Sequence, residues 1–306
     1  MYSRYNKLLK KLKDGKTAIL DGGVGTELER RGVQMDASWC GSASLNNKIL
    51  TEIHLDYIKA GAEIITTNTY ASSRLMLNAA GLGDSFSEIN TKAIQAAKDA
   101  RITAGQNDIL IAGSVSHRFP IADGDKKSDP KVKISDDELF NVCKEMAMFL
   151  ADNGCDFLLL EMMYQPERIK VVFEAVKEIG LPTWVGFSLR KTKDGEVVSL
   201  TDEKMILFSE LLYLTKDYEF DVLGIMHTNV ELITDSIRIL RSFYDGPIMV
   251  YPDSGGWLSP NWDFSSVISE EYFSKKALEW QSEGAQIIGG CCGLSPEHIA
   301  RLSLQD

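Results

Sequence analysis

Short apolar segments recur along the chain, and each is followed by a turn and an amphipathic stretch. Eight segments lie at 17–20, 63–67, 109–115, 156–161, 183–189, 221–226, 247–251 and 285–290. Nearly continuous apolar runs of this length are typical of parallel strands that are buried on both faces. The stretches between them carry helix signals, such as the start at Ser135 and the terminating glycines Gly154 and Gly180.

Eight alternating units predict an α/β fold, a (β/α)8 TIM barrel, with an open doubly wound sheet as the alternative. No linker or change of composition divides the chain, so we expect one domain over 1–306. Residues 1–16 are expected to form an N-terminal helix that packs leucines under the barrel. The polar segment 118–133 is interpreted either as a lid over the catalytic face or as an idle surface loop.

The charge and cysteine content narrow the range of partners. The net charge of −11 argues against nucleic acid or an anionic membrane as the main partner. No apolar run approaches the roughly 20 residues that span a bilayer. Five cysteines are too few and too irregular for a disulfide framework, which indicates a reducing, cytoplasmic location. We therefore expect small-molecule substrates, and the sequence leaves a homo-oligomer open.

Polar residues follow every predicted strand. In barrels of this kind, active sites lie at the C-terminal ends of the strands. The residues found there are Asp21-Gly22-Gly23, Thr67-Asn68-Thr69-Tyr70, Ser114, Glu161, Ser188-Leu189-Arg190, His227, Asp253-Ser254-Gly255-Gly256 and Cys291-Cys292. This distribution predicts a single site at that end of the barrel.

Cys291 and Cys292 are the strongest metal-binding candidates. They stand between glycines, which leave the backbone free to turn both sulfurs toward one point. His227, at the end of the sixth strand, would complete three protein ligands with an open fourth position, the pattern of a catalytic zinc site. The alternative is that the cysteines are inert core residues and His227 is an ordinary hydrogen-bonded histidine. His117 is a reserve ligand.

Two carboxylates, Asp21 and Glu161, are candidates for gripping the ammonium group of an amino-acid substrate. The backbone N–H groups of the Gly22-Gly23 turn, just before a helix, would then receive the substrate carboxylate. The alternative is a structural role for each carboxylate, as a helix cap or a loop anchor.

Several ordered motifs together resemble the homocysteine S-methyltransferase family. They are ILDGGVGTELERRG, TTNTY, LLLEM, YPDSGG and GGCCG, and the resemblance spans roughly 17–303. It implies a (β/α)8 barrel, a catalytic Zn2+ and methyl transfer to the sulfur of homocysteine, giving methionine. The resemblance assigns zinc binding to Cys291 and Cys292, amino-group binding to Asp21 and Glu161, substrate contact to Thr67 and the donor end of the pocket to Trp39. We place Asn68 and Asp253 with these as substrate-binding candidates.

The chain departs from the family pattern at three places that face the site. His227 stands where the family has its third zinc thiolate, and Met226 replaces the neighbouring asparagine. Ser116-His117 replaces a Gly-Pro step, and Asp253 replaces an asparagine. Imidazole in place of thiolate makes a metal site one unit less negative. The substrate thiol is then expected to ionise more readily and to be a weaker nucleophile.

The methyl donor is expected to be cationic, a sulfonium such as S-methylmethionine or S-adenosylmethionine. Trp39 or Trp257 would offer a cation–π face to it, unless both are packing residues of the barrel rim. Two other functions are kept as alternatives. One is a methyltransferase subunit that works with a separate corrinoid protein. The other is a zinc-free barrel that only binds an amino acid or a sulfonium compound.

Overall fold

Eight parallel strands form one sheet in the computed structural model, which describes residues 2–34, 40–120, 133–201, 204–258 and 261–303. The strands are β1 (Ala18–Ile19), β2 (Ile64–Thr66), β3 (Leu110–Ser116), β4 (Phe157–Met163), β5 (Thr183–Phe187), β6 (Val222–Asn229), β7 (Ile248–Asp253) and β8 (Ala285–Ile288). Each lies in or overlaps one of the eight predicted segments. Trp39 and most of the proposed lid, 121–132, lie outside the described residues.

The sheet closes on itself. Its order follows the chain from β2 to β8, and β8 pairs in parallel with β1. A bridge between Leu20 and Ile64 joins β1 to β2. This closure confirms the (β/α)8 barrel and contradicts the open-sheet alternative, in which two strands would have unpaired edges.

Helices surround the barrel. They are α1 (Tyr2–Lys13), α2 (Val24–Arg30), α3 (Asn47–Lys59), α4 (Arg74–Ala79), α5 (Phe86–Thr103), α6 (Asp136–Asp152), α7 (Pro166–Val176), α8 (Phe208–Tyr213), α9 (Ile233–Arg241), α10 (Glu270–Ser282) and α11 (Pro296–Leu302). Ser135 caps α6 with a capping box, and Gly154 and Gly180 have positive φ angles, as the helix signals predict. Within the described ranges, no helix is both long and apolar enough to span a bilayer.

Two short hairpins follow β5 and β7 at the C-terminal ends of the strands. The sequence pattern did not predict them as separate elements. Leu189–Lys191 pairs with Val197–Ser199 after β5. Gly256–Leu258 pairs with Asn261–Asp263 after β7. Both hairpins are antiparallel additions to a parallel barrel, and the first forms one wall of the cavity described below.

Helix α1 closes the opposite end of the barrel. Its Leu8 and Leu12 are buried in the inner core, and the Tyr5 hydroxyl lies 2.7 Å from Nε1 of Trp184. The inner core continues upward to Cys291, so the side chains beneath the C-terminal ends of the strands are mostly apolar.

Met226 and Gly186 share one volume inside the barrel. Gly186 lies on β5, and the buried thioether of Met226 on β6 packs over its Cα. A Cβ at position 186 would overlap the Met226 side chain. A side chain at 186 would therefore require the thioether of Met226, the residue directly before His227, to move.

Candidate metal and substrate site

Two β-bulges aim Glu161 and His227 toward each other. The β4–β5 register shifts between Leu160 and Met163, and the β6–β7 register shifts between Met226 and Asn229. Each bulge contains a non-glycine residue with positive φ, 57° at Met162 and 44° at His227. Such conformations are strained and cluster at functional sites, and histidine is among the residues that tolerate them best. Bulges re-aim side chains, which here brings a carboxylate and an imidazole over the barrel mouth.

The loop carrying Cys291 and Cys292 is held by backbone hydrogen bonds to the end of β7. The N–H of Cys291 donates to the carbonyl of Pro252 at 2.6 Å, and the N–H of Ser254 donates to the carbonyl of Cys292 at 3.0 Å. Gly293 has φ of 83°, and a Cβ there would overlap the Ser254 carbonyl. The glycine that follows the two cysteines is thus required by the turn and by its close packing.

The structure brings His227, Cys291 and Cys292 together. Nδ1 of His227 lies 3.2 Å from Sγ of Cys291, and the two sulfurs are 3.8 Å apart. One potential ligand atom from each residue lies within 4.8 Å of the others. Among the residues that the structure describes, this is the one group of histidine, cysteine or acidic side chains that could hold a metal ion.

The charges of this cluster favour a thiolate. A hydrogen bond from Cys291 and the nearby charge of His227 lower the pKa of the Cys292 thiol. Burial, reinforced by the neighbouring Cys292, raises the pKa of Cys291 well above its usual range. Burial opposes the imidazolium, yet Cys292 and Glu161 raise the pKa of His227 to about 10, so a metal that binds this ring must displace one of its protons. The thiolate is the form of cysteine that binds metals, and the lowered pKa of Cys292 favours this form.

Tyr70 is a site residue that the sequence analysis named among the strand-end residues without giving it a role. Its ring stacks on the His227 imidazole with centroids 5.4 Å apart and an interplanar angle of 28°. Its hydroxyl lies 2.8 Å from Sδ of Met162, next to Glu161. The available signal was its position at the end of TTNTY, directly after the polar end of β2.

The carboxylate of Asp21 forms part of the barrel wall. It accepts hydrogen bonds from the N–H of Thr66 at 2.6 Å, the Thr66 hydroxyl at 3.1 Å and the Tyr251 hydroxyl at 3.1 Å. These contacts join β1 to β2 and β7. Burial raises the pKa of Asp21 to about 8. The hydrogen bonds of Asp21 with Thr66 and Tyr251 are those expected of a carboxylate with a structural role. Binding of a substrate ammonium group by Asp21 stays a prediction.

Asp21→Asn is expected to flatten the pH dependence of stability. The pKa of Asp21 in the folded chain, about 8, exceeds the usual value of an unfolded aspartate, about 3.9. The stability associated with its proton is therefore complete below pH about 4 and is lost as pH rises through about 8. Urea unfolding of both proteins at about pH 5 and about pH 8 measures this difference. The prediction is contradicted if the free energy of unfolding changes equally between the two pH values in wild type and variant.

Packing explains the glycines of the first turn. A Cβ at Gly22 would overlap the ring of Tyr57, and a Cβ at Gly23 would lie 2.5 Å from the carbonyl of Cys291. The N–H of Gly23 donates to the carbonyl of Leu294 at 3.1 Å. This N–H is already used, so its predicted contact with a substrate carboxylate gains no support.

Thr67 and Asn68 hold neighbouring segments together. The Thr67 hydroxyl lies 3.2 Å from the carbonyl of Ala112, in the seam between β2 and β3. Nδ2 of Asn68 donates to the carbonyl of Cys40 at 2.9 Å. The structure places both residues at the catalytic end, and their contact with substrate stays a prediction.

A cavity of about 390 Å³ opens beside His227. It is lined by Leu189, Arg190, Lys191, Leu200, His227, Asn229, Glu231, Leu232 and Asp253. Its walls carry both positive and negative side chains, and Asp253 reaches it from the end of β7. Trp257 lies half-buried in the hairpin that follows Asp253.

His117 lies outside the metal-binding cluster. It is fully buried, and its Nε2 accepts a hydrogen bond from the N–H of Tyr164 at 3.2 Å. Burial lowers the pKa of His117 to about 3. His117, the reserve ligand of the sequence analysis, therefore uses its Nε2 in a hydrogen bond away from the cysteines.

Comparison with known proteins agrees with this architecture. The homocysteine S-methyltransferase family model matches residues 18–305. Homocysteine S-methyltransferase 3 of Zea mays is 30% identical, covering 93% of this chain and 88% of that protein. Selenocysteine methyltransferase of Astragalus bisulcatus is 28% identical, covering 93% and 91%. The metallated form of the homocysteine methyltransferase MmuM from Escherichia coli superposes with a TM-score of 0.79 at 27% identity, covering 98% of this chain and 99% of that chain. This chain therefore belongs to the homocysteine S-methyltransferase family.

Proposed function

We propose that this enzyme transfers a methyl group from a cationic sulfonium to the thiol of homocysteine, giving methionine, with Zn2+ held by His227, Cys291 and Cys292. The observation that carries the proposal is the convergence of these three side chains at the catalytic end of the barrel. The family membership of the chain supports the choice of acceptor.

The donor atoms fit zinc. Zinc–sulfur bonds of about 2.3 Å at a tetrahedral angle place two sulfurs about 3.8 Å apart. The sulfurs of Cys291 and Cys292 are 3.8 Å apart. A set of two thiolates and one imidazole, with a fourth position open, is an established type of catalytic zinc site. When bound there, Zn2+ would supply a Lewis acid that keeps the substrate thiol ionised.

The chain's own groups bind and align the reactants. Glu161 offers a buried carboxylate to the substrate ammonium group at the mouth. The cavity beside His227 carries both signs of charge, which suits a zwitterionic amino acid, and its volume lies within the range of about 300–1,000 Å³ usual for small-molecule sites. Trp257, and Trp39 outside the described residues, are the proposed aromatic faces for the donor.

The transfer needs little acid–base work from the protein. The substrate sulfur forms a bond to the methyl carbon while the bond from that carbon to the donor sulfur breaks. The bonding electrons stay on the donor sulfur, which leaves as a neutral thioether, and the thiol proton goes to solvent. The contribution of the protein is to hold the nucleophile, methyl group and leaving group in line.

The proposal is tested by metal analysis and a donor panel. Purified protein is expected to contain about one zinc per chain, in keeping with a structural fit for one ion. It should form methionine from homocysteine and either S-methylmethionine or S-adenosylmethionine, with chelator-treated and zinc-restored protein as matched controls. Activity only with an added corrinoid protein would favour the partner-dependent alternative. Amino-acid binding without zinc or transfer would favour the binding-only barrel.

The same assay separates the acceptors. One similar protein is named a selenocysteine methyltransferase, so selenocysteine is compared with homocysteine at equal concentration. Homocysteine is expected to have the higher kcat/KM. A preference for selenocysteine would move the proposal to the selenol.

A further inference from the structure

The carboxylate of Glu161 and the ring of His227 form a buried contact across the barrel mouth. Oε2 of Glu161 lies 3.3 Å from Nε2 of His227, and both side chains are largely shielded from solvent, with exposures of 7% and 13%. The other ring nitrogen, Nδ1, lies 3.2 Å from Sγ of Cys291, whereas Nε2 is 3.6 Å from the same sulfur. Nδ1 is therefore the ring nitrogen nearer to the sulfur, and Nε2 is the ring nitrogen that contacts the carboxylate.

The stacked ring of Tyr70 cannot by itself choose between these nitrogens. Stacking fixes the plane of the His227 ring. A half-turn about the bond between Cβ and the ring keeps that plane, yet it moves Nε2 away from Glu161. The hydrogen bond to Glu161 and the contact between Nδ1 and Sγ of Cys291 together select one of the two ring orientations.

We propose that Glu161 positions His227 as a metal ligand by accepting a hydrogen bond from Nε2–H, so that Nδ1 presents its lone pair on the side of Cys291. This inference rests on the metal set of the proposed function. An ionised carboxylate only accepts hydrogen bonds, so its partner nitrogen carries the proton. Metal-bound histidines commonly donate their second N–H to a carboxylate, which fixes the tautomer. A cysteine at position 227 would offer no second atom to Glu161, so this role exists because the third residue is a histidine.

Glu161 then has two separable roles. Its negative charge attracts the substrate ammonium group, while an acceptor oxygen holds Nε2 of His227. Glutamine at 161 keeps an acceptor oxygen and loses the charge, and alanine loses both. Comparison of Glu161→Gln with Glu161→Ala therefore separates the effect of Glu161 on zinc affinity from its effect on homocysteine binding.

Zinc affinity, measured by competition with a chromophoric chelator, tests the positioning role without any need for activity. Glu161→Ala is expected to weaken zinc binding by roughly 10–100-fold, the usual effect of removing such a partner. Glu161→Gln should bind zinc close to the wild-type level, while both variants raise KM for homocysteine. Glu231→Ala is the matched control. It removes a carboxylate that lines the same cavity but pairs with Tyr272 and Lys276, and it should leave zinc affinity unchanged.

Nitrogen-15 NMR of histidine-labelled, zinc-loaded protein gives a second readout on the wild type alone. We expect metal-bound Nδ1 and protonated Nε2 for His227. Metal-bound Nε2, or a zinc affinity that is unchanged in Glu161→Ala, overturns the inference and leaves the proposed function standing. A wild-type protein that binds no zinc overturns both.

Discussion

Cys292→Ser is expected to abolish zinc binding and methyl transfer together. Cys292 is the thiol whose pKa is lowered, because Cys291 donates a hydrogen bond to its sulfur and the charge of His227 lies nearby. A serine hydroxyl stays protonated and is a poor zinc ligand. The loss of zinc affinity should exceed the roughly 10–100-fold that follows from removing an outer partner of a ligand. Metal content, chelator competition and methionine formation are measured on the same preparation.

The control for this variant is another buried thiol. Cys143 lies on the outer helix α6 and belongs to the core between helices and strands. Cys143→Ala should keep full zinc content and activity per folded chain. Cys291→Ala should behave like Cys292→Ser. Full zinc in both of these site variants would show that the pair does not bind the metal.

His227→Ala is expected to lower zinc affinity and abolish transfer, whereas His227→Cys should retain zinc. The cysteine variant restores the three-thiolate set that the family pattern implies. It makes the site one unit more negative than in wild type. The pKa of the bound substrate thiol should therefore rise, and its thiolate should become more nucleophilic.

Zinc-edge X-ray absorption checks the assignment of His227 directly. The wild-type first shell should fit two sulfurs and one imidazole from the protein, and His227→Cys should fit three sulfurs. An imidazole signal that survives in His227→Ala would mean that another histidine is the ligand. The pH dependence of kcat/KM for wild type and His227→Cys then reports the expected difference in thiol ionisation.

The barrel was predictable because its strands are buried on both faces. Such strands appear in the sequence as continuous apolar runs. A helical stretch separates each run from the next, which indicates that the strands are parallel. The hairpin formed by Leu189–Lys191 and Val197–Ser199 was not predictable in this way. Its strands are short, the first mixes polar and apolar residues, and its position depends on contacts with residues far away in the sequence. The N–H of Leu189, for example, donates to the hydroxyl of Thr228 on β6.

The chemical types at the site were predictable, but their partners were not. The ends of the strands identified Glu161, His227 and the two cysteines, since strand ends of a closed barrel share one face. The contact between Glu161 and His227 depends on two bulges, and a bulge is set by register with the adjacent strands. The hydrogen bond from Tyr251 to Asp21 likewise joins residues 230 positions apart, which no local pattern encodes.

The shared volume of Met226 and Gly186 couples the substitutions that these two positions can accept during evolution. A side chain at 186 would overlap the present position of the Met226 side chain, so growth at 186 requires the methionine to move or to be replaced. Shrinking Met226 first, to alanine for instance, leaves a void under His227 that costs about 2–5 kcal/mol. The two substitutions are therefore epistatic, because the protein with a smaller residue at 226 and glycine at 186 is less stable than the protein with the present pair.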